Sequence, residues 1–177
     1  MQQPLRVGII GVGKMGELHL KKYLSIPSVQ MVGVFEPNEK RAQHIQEAYG
    51  VKVFSTVAEL VFEADAVSVT STTATHFSNC RQALEAGTHV LVEKPMCDDP
   101  LHAAELIRIA KEKNLTLQVG YLERFRLSRV TRFISRANLK YIEARWSATQ
   151  LPREDHIDVV ADLLVHPLDM VLSLCHE

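Results

Sequence analysis

The segment "VADLLVHPLDM" (160–170) carries Asp162, His166 and Asp169, spaced by four and then three residues within an apolar run. On a helix these positions share a face, so the spacing predicts one polar stripe. A solvated face would explain it. So would a metal, but two or three ligands without a further cluster argue against one, and no metal is expected. The third chemistry is proton transfer. His166 would accept a proton, because imidazole titrates near neutrality, and Asp162 would orient it. Pro167 predicts a kink or break near His166 that displaces Asp169, since proline inside a helix removes one backbone bond and clashes with the preceding turn. Val160, Leu163, Leu164, Val171 and Leu172 are expected to pack against a sheet.

A second constellation lies at the other end of the chain. "GVGKMG" sets Gly11, Gly13 and Gly16 in G-x-G-x-x-G spacing, with Lys14 and Met15 between the last two, after a strand and at the start of a helix. The first glycine permits a tight turn, the second lets backbone approach a pyrophosphate, and the third lets helix and strand pack closely. Glu36 follows Gly16 by 20 residues, where a carboxylate accepts hydrogen bonds from a ribose 2′-OH. Its charge would repel a 2′-phosphate, so NAD is favoured over NADP, although Lys40 and Arg41 lie nearby. Flavin and S-adenosylmethionine sites share parts of the pattern, and a purely structural glycine turn is the bland alternative. A third candidate is "HVLVEKP" (89–95), which ends a strand in Glu93, Lys94 and Pro95. In open parallel sheets ligands bind beyond the carboxyl ends of strands, which sets Glu93 and Lys94 beside a bound cofactor. A surface lysine in a turn is the competing reading.

The elements that must position these residues alternate. Apolar runs at 5–10, 29–35, 51–54, 65–70, 89–93 and 115–119 read as strands. Helical patterns run from the glycine turn to about Tyr23, then over 38–49, 57–62 and 74–86, and from Pro100, capped by Asp99, to about Lys113. Strands this apolar, separated by helices, imply a doubly wound α/β parallel sheet of the Rossmann type. After Gly120 the pattern changes. A basic amphipathic helix over 124–136 carries Arg124, Arg126, Arg129 and Arg132. An alternating strand over 139–147 and a helical segment over 157–176 follow. Residues 1–120 thus read as a nucleotide-binding domain, and 121–177 as the opening of a second, α+β substrate or oligomerisation domain.

The totals set limits. The chain has 177 residues and a formal net charge of −1 with no long block of one sign, which points away from nucleic acid and anionic membranes. Its three cysteines (Cys80, Cys97, Cys175) are far apart and form no C-x-x-C pair, so a reducing compartment fits. No signal-peptide layout or membrane span is present, and a cytoplasmic protein is expected.

Together, "GVGKMG", "TTATH" (72–76), "ALEAGTHVLVEKP" (83–95) and "DLLVHPLD" (162–169) resemble the glucose–fructose oxidoreductase, inositol dehydrogenase and MocA-type (Gfo/Idh/MocA) oxidoreductases over essentially the whole chain. The resemblance implies an NAD(P)-dependent enzyme acting on a carbon of a sugar or cyclitol. It implies that Lys94 hydrogen-bonds the reacting oxygen and that Asp162 and His166 are the D-x-x-x-H pair, with the histidine as proton acceptor. It places Asp169 against substrate, Thr72 and His76 along the cofactor, and Gln118 and Tyr121 near the nicotinamide end, Tyr121 on the substrate side. Two positions depart from the family pattern: Thr72 stands where proline is common, and Leu164 where glycine is common two residues before the histidine. Leucine in this context is similar to the branch acting on nucleotide-activated amino sugars. The family also implies a broad sheet beyond Glu177 that walls the pocket and mediates oligomers. Two readings therefore stay open: the cofactor-binding part of an NAD-dependent sugar, nucleotide-sugar or cyclitol dehydrogenase that can form a homo-oligomer, or a short NAD-binding module without its own catalysis.

Overall fold

A computed structural model describes residues 3–131, 140–147 and 163–175. The chain divides into two compact units, Met1–Val119 and Gly120–Glu177.

In the first unit the strands are β1 (Leu5–Ile10), β2 (Val29–Phe35), β3 (Val53–Phe54), β4 (Ala66–Val69), β5 (His89–Val92) and β6 (Leu117–Val119). They form one six-stranded sheet in the order β3-β2-β1-β4-β5-β6, and every pairing is parallel. This is the doubly wound Rossmann arrangement. β3 is shorter than its apolar run and pairs with β2 at Val53 and Phe54, opposite Val34 and Phe35.

The helices between the strands are α1 (Lys14–Leu24), α2 (Glu39–Tyr49), α3 (Val57–Glu63), α4 (Thr73–Glu85) and α5 (Pro100–Glu112). Their starts are set by side chains that satisfy first-turn N–H groups. Asn38 accepts from the Arg41 amide at 3.0 Å, Thr56 from Glu59 at 3.1 Å, and Asp99 from Leu101 at 2.8 Å with Pro100 at the first helical position.

Strand residues alternate between faces, and each face has its own core. Ile9 and Val34 join Leu20 of α1 and Ile45 of α2 in one cluster. Ile10, Val67, Val69, Val90 and Val92 join Leu60 of α3, Leu84 of α4 and Leu106 of α5 in the other. Between β1 and β4 the strand order reverses. This crevice is where such sheets bind ligands.

In the second unit, α6 (Leu122–Thr131) and α7 (Val165–Cys175) are the described helices. α6 begins two residues before the expected helix, and the remainder of the expected 124–136 stretch, with Arg132, lies outside the described residues. So do Asp162, Val160 and the start of the expected 157–176 helix. Three expectations need correction. Residues 140–147 form no strand. Alternation supplies a face, but a strand also needs a ladder partner, and seven of these eight residues are exposed, Tyr141 and Trp146 among them. Next, the helix runs unbroken through Pro167. Proline clashes with the carbonyl four residues back, here Leu163, and Leu163–Leu164 form a π turn that widens the backbone at that point. Last, the expected apolar stripe is only partly buried, with Leu163 and Val171 half-buried. Leu164, Leu168 and Leu172 are exposed, while Pro167, Asp169 and Leu174 are buried. Burial of Asp169 is tolerable because Arg124 of α6 grips both carboxylate oxygens, Nε at 3.0 Å and Nη2 closer still.

Leu84 is fully buried in the larger cluster. Leu84→Ala is expected to cost about 2–5 kcal/mol of stability, read as a lowered midpoint in denaturant unfolding with an unchanged slope.

Candidate functional site

The glycine loop is built by contacts that leave no room for side chains at two positions and full room at the third. Gly11 has φ +84°, and a Cβ there would lie 2.6 Å from the Ser71 Cα at the end of β4. Gly16 is tighter still: a Cβ would lie 2.1 Å from the Gly11 carbonyl oxygen and 2.7 Å from Thr70 Oγ1. At Gly13 a Cβ would meet nothing within 4 Å. Gly13 is the N-cap residue of α1 and has no side chain to satisfy the first-turn N–H groups. The amides of Lys14, Met15 and Gly16 have no acceptor within the helix, and the helix dipole adds positive potential there. This is an anion cradle.

Glu36 follows β2 and braces the loop. Its Oε2 accepts from the Val12 amide at 2.8 Å and its Oε1 from the Asn38 amide at 3.0 Å. Each carboxylate oxygen keeps a second lone-pair direction, so Glu36 can hold the loop and still accept from a ribose hydroxyl. Arg41 closes the same edge. Its Nε donates to the Val12 carbonyl at 2.7 Å and its Nη2 to Glu17 Oε2 at 2.5 Å. Tyr49 donates to Glu17 Oε1 at 2.6 Å. The Tyr49 hydroxyl, Arg41 and Lys21 together hold the Glu17 carboxyl down at about 2.

Residues 5–121 match the model of the Gfo/Idh/MocA oxidoreductase family, NAD-binding Rossmann fold. The chain belongs to this family. It is 38% identical to UDP-N-acetylglucosamine 3-dehydrogenase of Acidithiobacillus ferrooxidans over 173 residues, which cover 96% of the chain and 54% of that relative. It is 30% identical to scyllo-inositol 2-dehydrogenase (NAD(+)) of Bacillus subtilis over 129 residues, covering 71% of the chain and 38% of that relative. A solved structure of the Acidithiobacillus ferrooxidans enzyme superposes with a TM-score of 0.89 at 37% identity, over 98% of this chain and 57% of that one. The chain thus spans about half the length of the curated relatives it matches most fully.

The Gfo/Idh/MocA residues fit NAD on their own geometry. The open side of Gly13 and the first-turn amides suit a pyrophosphate, and Glu36 stands at the end of the second strand, where a ribose is held. Thr72, the N-cap residue of α4, is exposed and makes no capping bond. Glu93 and Lys94 follow β5, the Lys94–Pro95 peptide bond is cis, and Lys94 is half-buried.

His76 occupies a different position from a surface ligand. It is 1% exposed, with Nδ1 2.8 Å from the Pro95 carbonyl and Nε2 3.0 Å from the Ser71 carbonyl. It therefore straps the loop after β4 to the turn that carries Lys94. Glu93 is tied from another side. Its Oε1 lies 3.1 Å from His19 Nε2. His19 Nδ1 lies 3.3 Å from Ser68 Oγ, and Tyr23 Oη lies 2.6 Å from the same hydroxyl. Sequence reasoning missed this network and the Glu17–Tyr49 pair. The available signal was Ser68, a hydroxyl inside an otherwise apolar strand, which once buried needs a partner.

In the second unit, His166 lies against Trp146, ring centroids 5.7 Å apart, and Asp169 is engaged by Arg124. Tyr121 precedes α6, and its carbonyl accepts from the Arg124 amide at 3.2 Å. Among the described residues no group of three or more His, Cys, Asp or Glu side chains could hold a metal ion, and no helix is long and apolar enough to cross a membrane.

The two glycines make opposite predictions. Gly13→Ala is expected to leave the unfolding midpoint unchanged and to weaken NADH binding about tenfold or more, since only the ligand contests that space. Gly16→Ala is expected to lower both, because the helix must retreat from Gly11. Calorimetric NADH titration beside thermal unfolding of each variant reads the difference.

Proposed function

We propose that this chain carries the cofactor half of a dehydrogenase acting on the hydroxyl-bearing carbon of a sugar, nucleotide-activated sugar or cyclitol. The observation that carries the reading is the open cradle at Gly13 with Glu36 beside it, in a chain whose relatives include a UDP-N-acetylglucosamine dehydrogenase and an inositol dehydrogenase. NAD, when bound, supplies the hydride acceptor or donor.

The chain's own residues divide the remaining work. The Lys94 ammonium donates a hydrogen bond to the reacting oxygen and stabilises negative charge that builds on it. The His166 imidazole takes the hydroxyl proton in the oxidation direction and returns it in reduction. Asp162 orients that ring, while Tyr121 and Asp169 lie toward substrate. Asp169 contributes through Arg124, whose guanidinium it holds. Leu164 in place of a glycine narrows the substrate side. Together with the 38% identity to the UDP-N-acetylglucosamine enzyme, this favours a nucleotide-activated amino sugar within the class. Homo-oligomer formation and a cytoplasmic location belong to the same reading.

The test is NADH formation from NAD by the protein that carries this chain, on a panel of UDP-N-acetylglucosamine, free sugars and inositols. Turnover is expected on the nucleotide sugar, and Lys94→Ala and His166→Ala are each expected to lower kcat/KM by about a hundredfold or more. NADH binding without turnover on any member of the panel would select a binding module or a chain without a complete substrate pocket instead.

A further inference from the structure

Arg41 is the cation nearest in sequence to Glu36 whose side chain grips the glycine loop. Its Nε and Nη2 are not free to serve a 2′-phosphate. Arginine recognises phosphate through two parallel N–H bonds from one edge of its fork. Here the edge made by Nε and Nη2 is committed: Nε to the Val12 carbonyl at 2.7 Å, and Nη2 to Glu17 Oε2 at 2.5 Å and the Gly13 carbonyl at 3.4 Å. Glu17 is itself fixed from two further directions, by the Tyr49 hydroxyl at 2.6 Å and by Lys21 Nζ at 3.0 Å. The clamp lies where Glu36 meets the loop, since Glu36 Oε2 accepts from the same Val12 residue whose carbonyl receives Arg41.

We propose that Glu17, supported by Tyr49, is a specificity-determining residue: it holds Arg41 against the glycine loop and so denies a 2′-phosphate the Nε–Nη2 edge of the guanidinium, adding a second barrier to NADP behind the carboxylate of Glu36. The inference rests on the NAD-binding reading of this loop. Glu36 acts by repulsion and Glu17 by withholding a partner, so the two effects are coupled. Removing Glu36 alone leaves a neutral ribose pocket with its arginine still tied down. Releasing Arg41 alone leaves the repelling carboxylate in place. Only the double change presents a free guanidinium to a phosphate in an uncharged pocket.

The experiment compares NADH and NADPH dissociation constants for the full chain by fluorescence titration, with thermal unfolding of each variant as a folding control. Glu36→Ser is expected to narrow the preference for NADH. Adding Glu17→Gln is expected to tighten NADPH binding by about a further tenfold while NADH binding changes less than about threefold. Adding Arg41→Gln to that pair is expected to erase the gain. That last arm separates release of Arg41 from the mere loss of a nearby negative charge. Tyr49→Phe in the Glu36→Ser background changes no charge and is expected to shift the ratio in the same direction by a smaller factor. An NADPH gain that survives Arg41→Gln, or a ratio unmoved by both Glu17→Gln and Tyr49→Phe, would overturn the proposal while leaving NAD binding intact. A chain that binds neither nucleotide would remove the NAD-binding reading and this inference with it.

Discussion

α1 approaches the carboxyl ends of β1 and β4 so closely that a single Cβ on Gly16 would lie 2.1 Å from the Gly11 carbonyl oxygen. Much of the cofactor end depends on that approach. It sets the first turn of α1 at the mouth of the crevice where the strand order reverses, and it aims unpaired amides outward. The Gly11 turn is closed by the same geometry, with Ser71 pressed against it and Thr70 Oγ1 donating to its carbonyl at 2.5 Å. Close packing thus occupies two glycine positions and leaves the third vacant on its outer side. The same residue type serves opposite ends within six residues of chain.

Around this steric frame the polar side chains act as ties between loops. Glu36 and Arg41 hold the Val12 backbone at both of its polar groups, one accepting from its N–H and the other donating to its carbonyl. His76 links the loop after β4 to the turn after β5. His19 links α1 to Glu93. Each tie joins residues far apart in sequence at the carboxyl end of the sheet, where loops would otherwise sample many conformations. The Lys94 turn is therefore restrained through both its neighbours, Glu93 and Pro95. That suits a lysine whose proposed role is to hold one oxygen atom in place.

The glycine loop was legible in the sequence because its logic is local and steric: three glycines, a preceding apolar strand and a following helix. The parallel sheet was legible because the strands are apolar on both faces, and helix starts such as Asp99-Pro100 are written in adjacent residues. Residues 140–147 alternate as a strand does, but alternation does not supply a ladder partner. At α7, Leu164 and Leu172 were among the residues expected to pack, yet both are exposed, whereas Asp169 is buried, its charge met by an arginine 45 residues earlier. Such long-range pairing leaves no mark in local spacing. Arg41 is similar. Its type suggested an ambiguity over the 2′-phosphate, and only its contacts show that it is tied to Val12 and Glu17. Within the candidate site, Asp162 lies outside the described residues, so its pairing with His166 stands on sequence alone.

The most direct test of the account is an amide-resolved NMR titration of the 15N-labelled chain with NADH. If the open face of Gly13 and the first turn of α1 receive the pyrophosphate, the largest shifts fall on the amides of Gly13, Lys14 and Met15, with smaller ones at Val12 and Asn38 through Glu36. Saturable NADH binding that leaves those amides unmoved and instead shifts residues at the opposite end of the sheet, around Arg6 and Asp65, would contradict it.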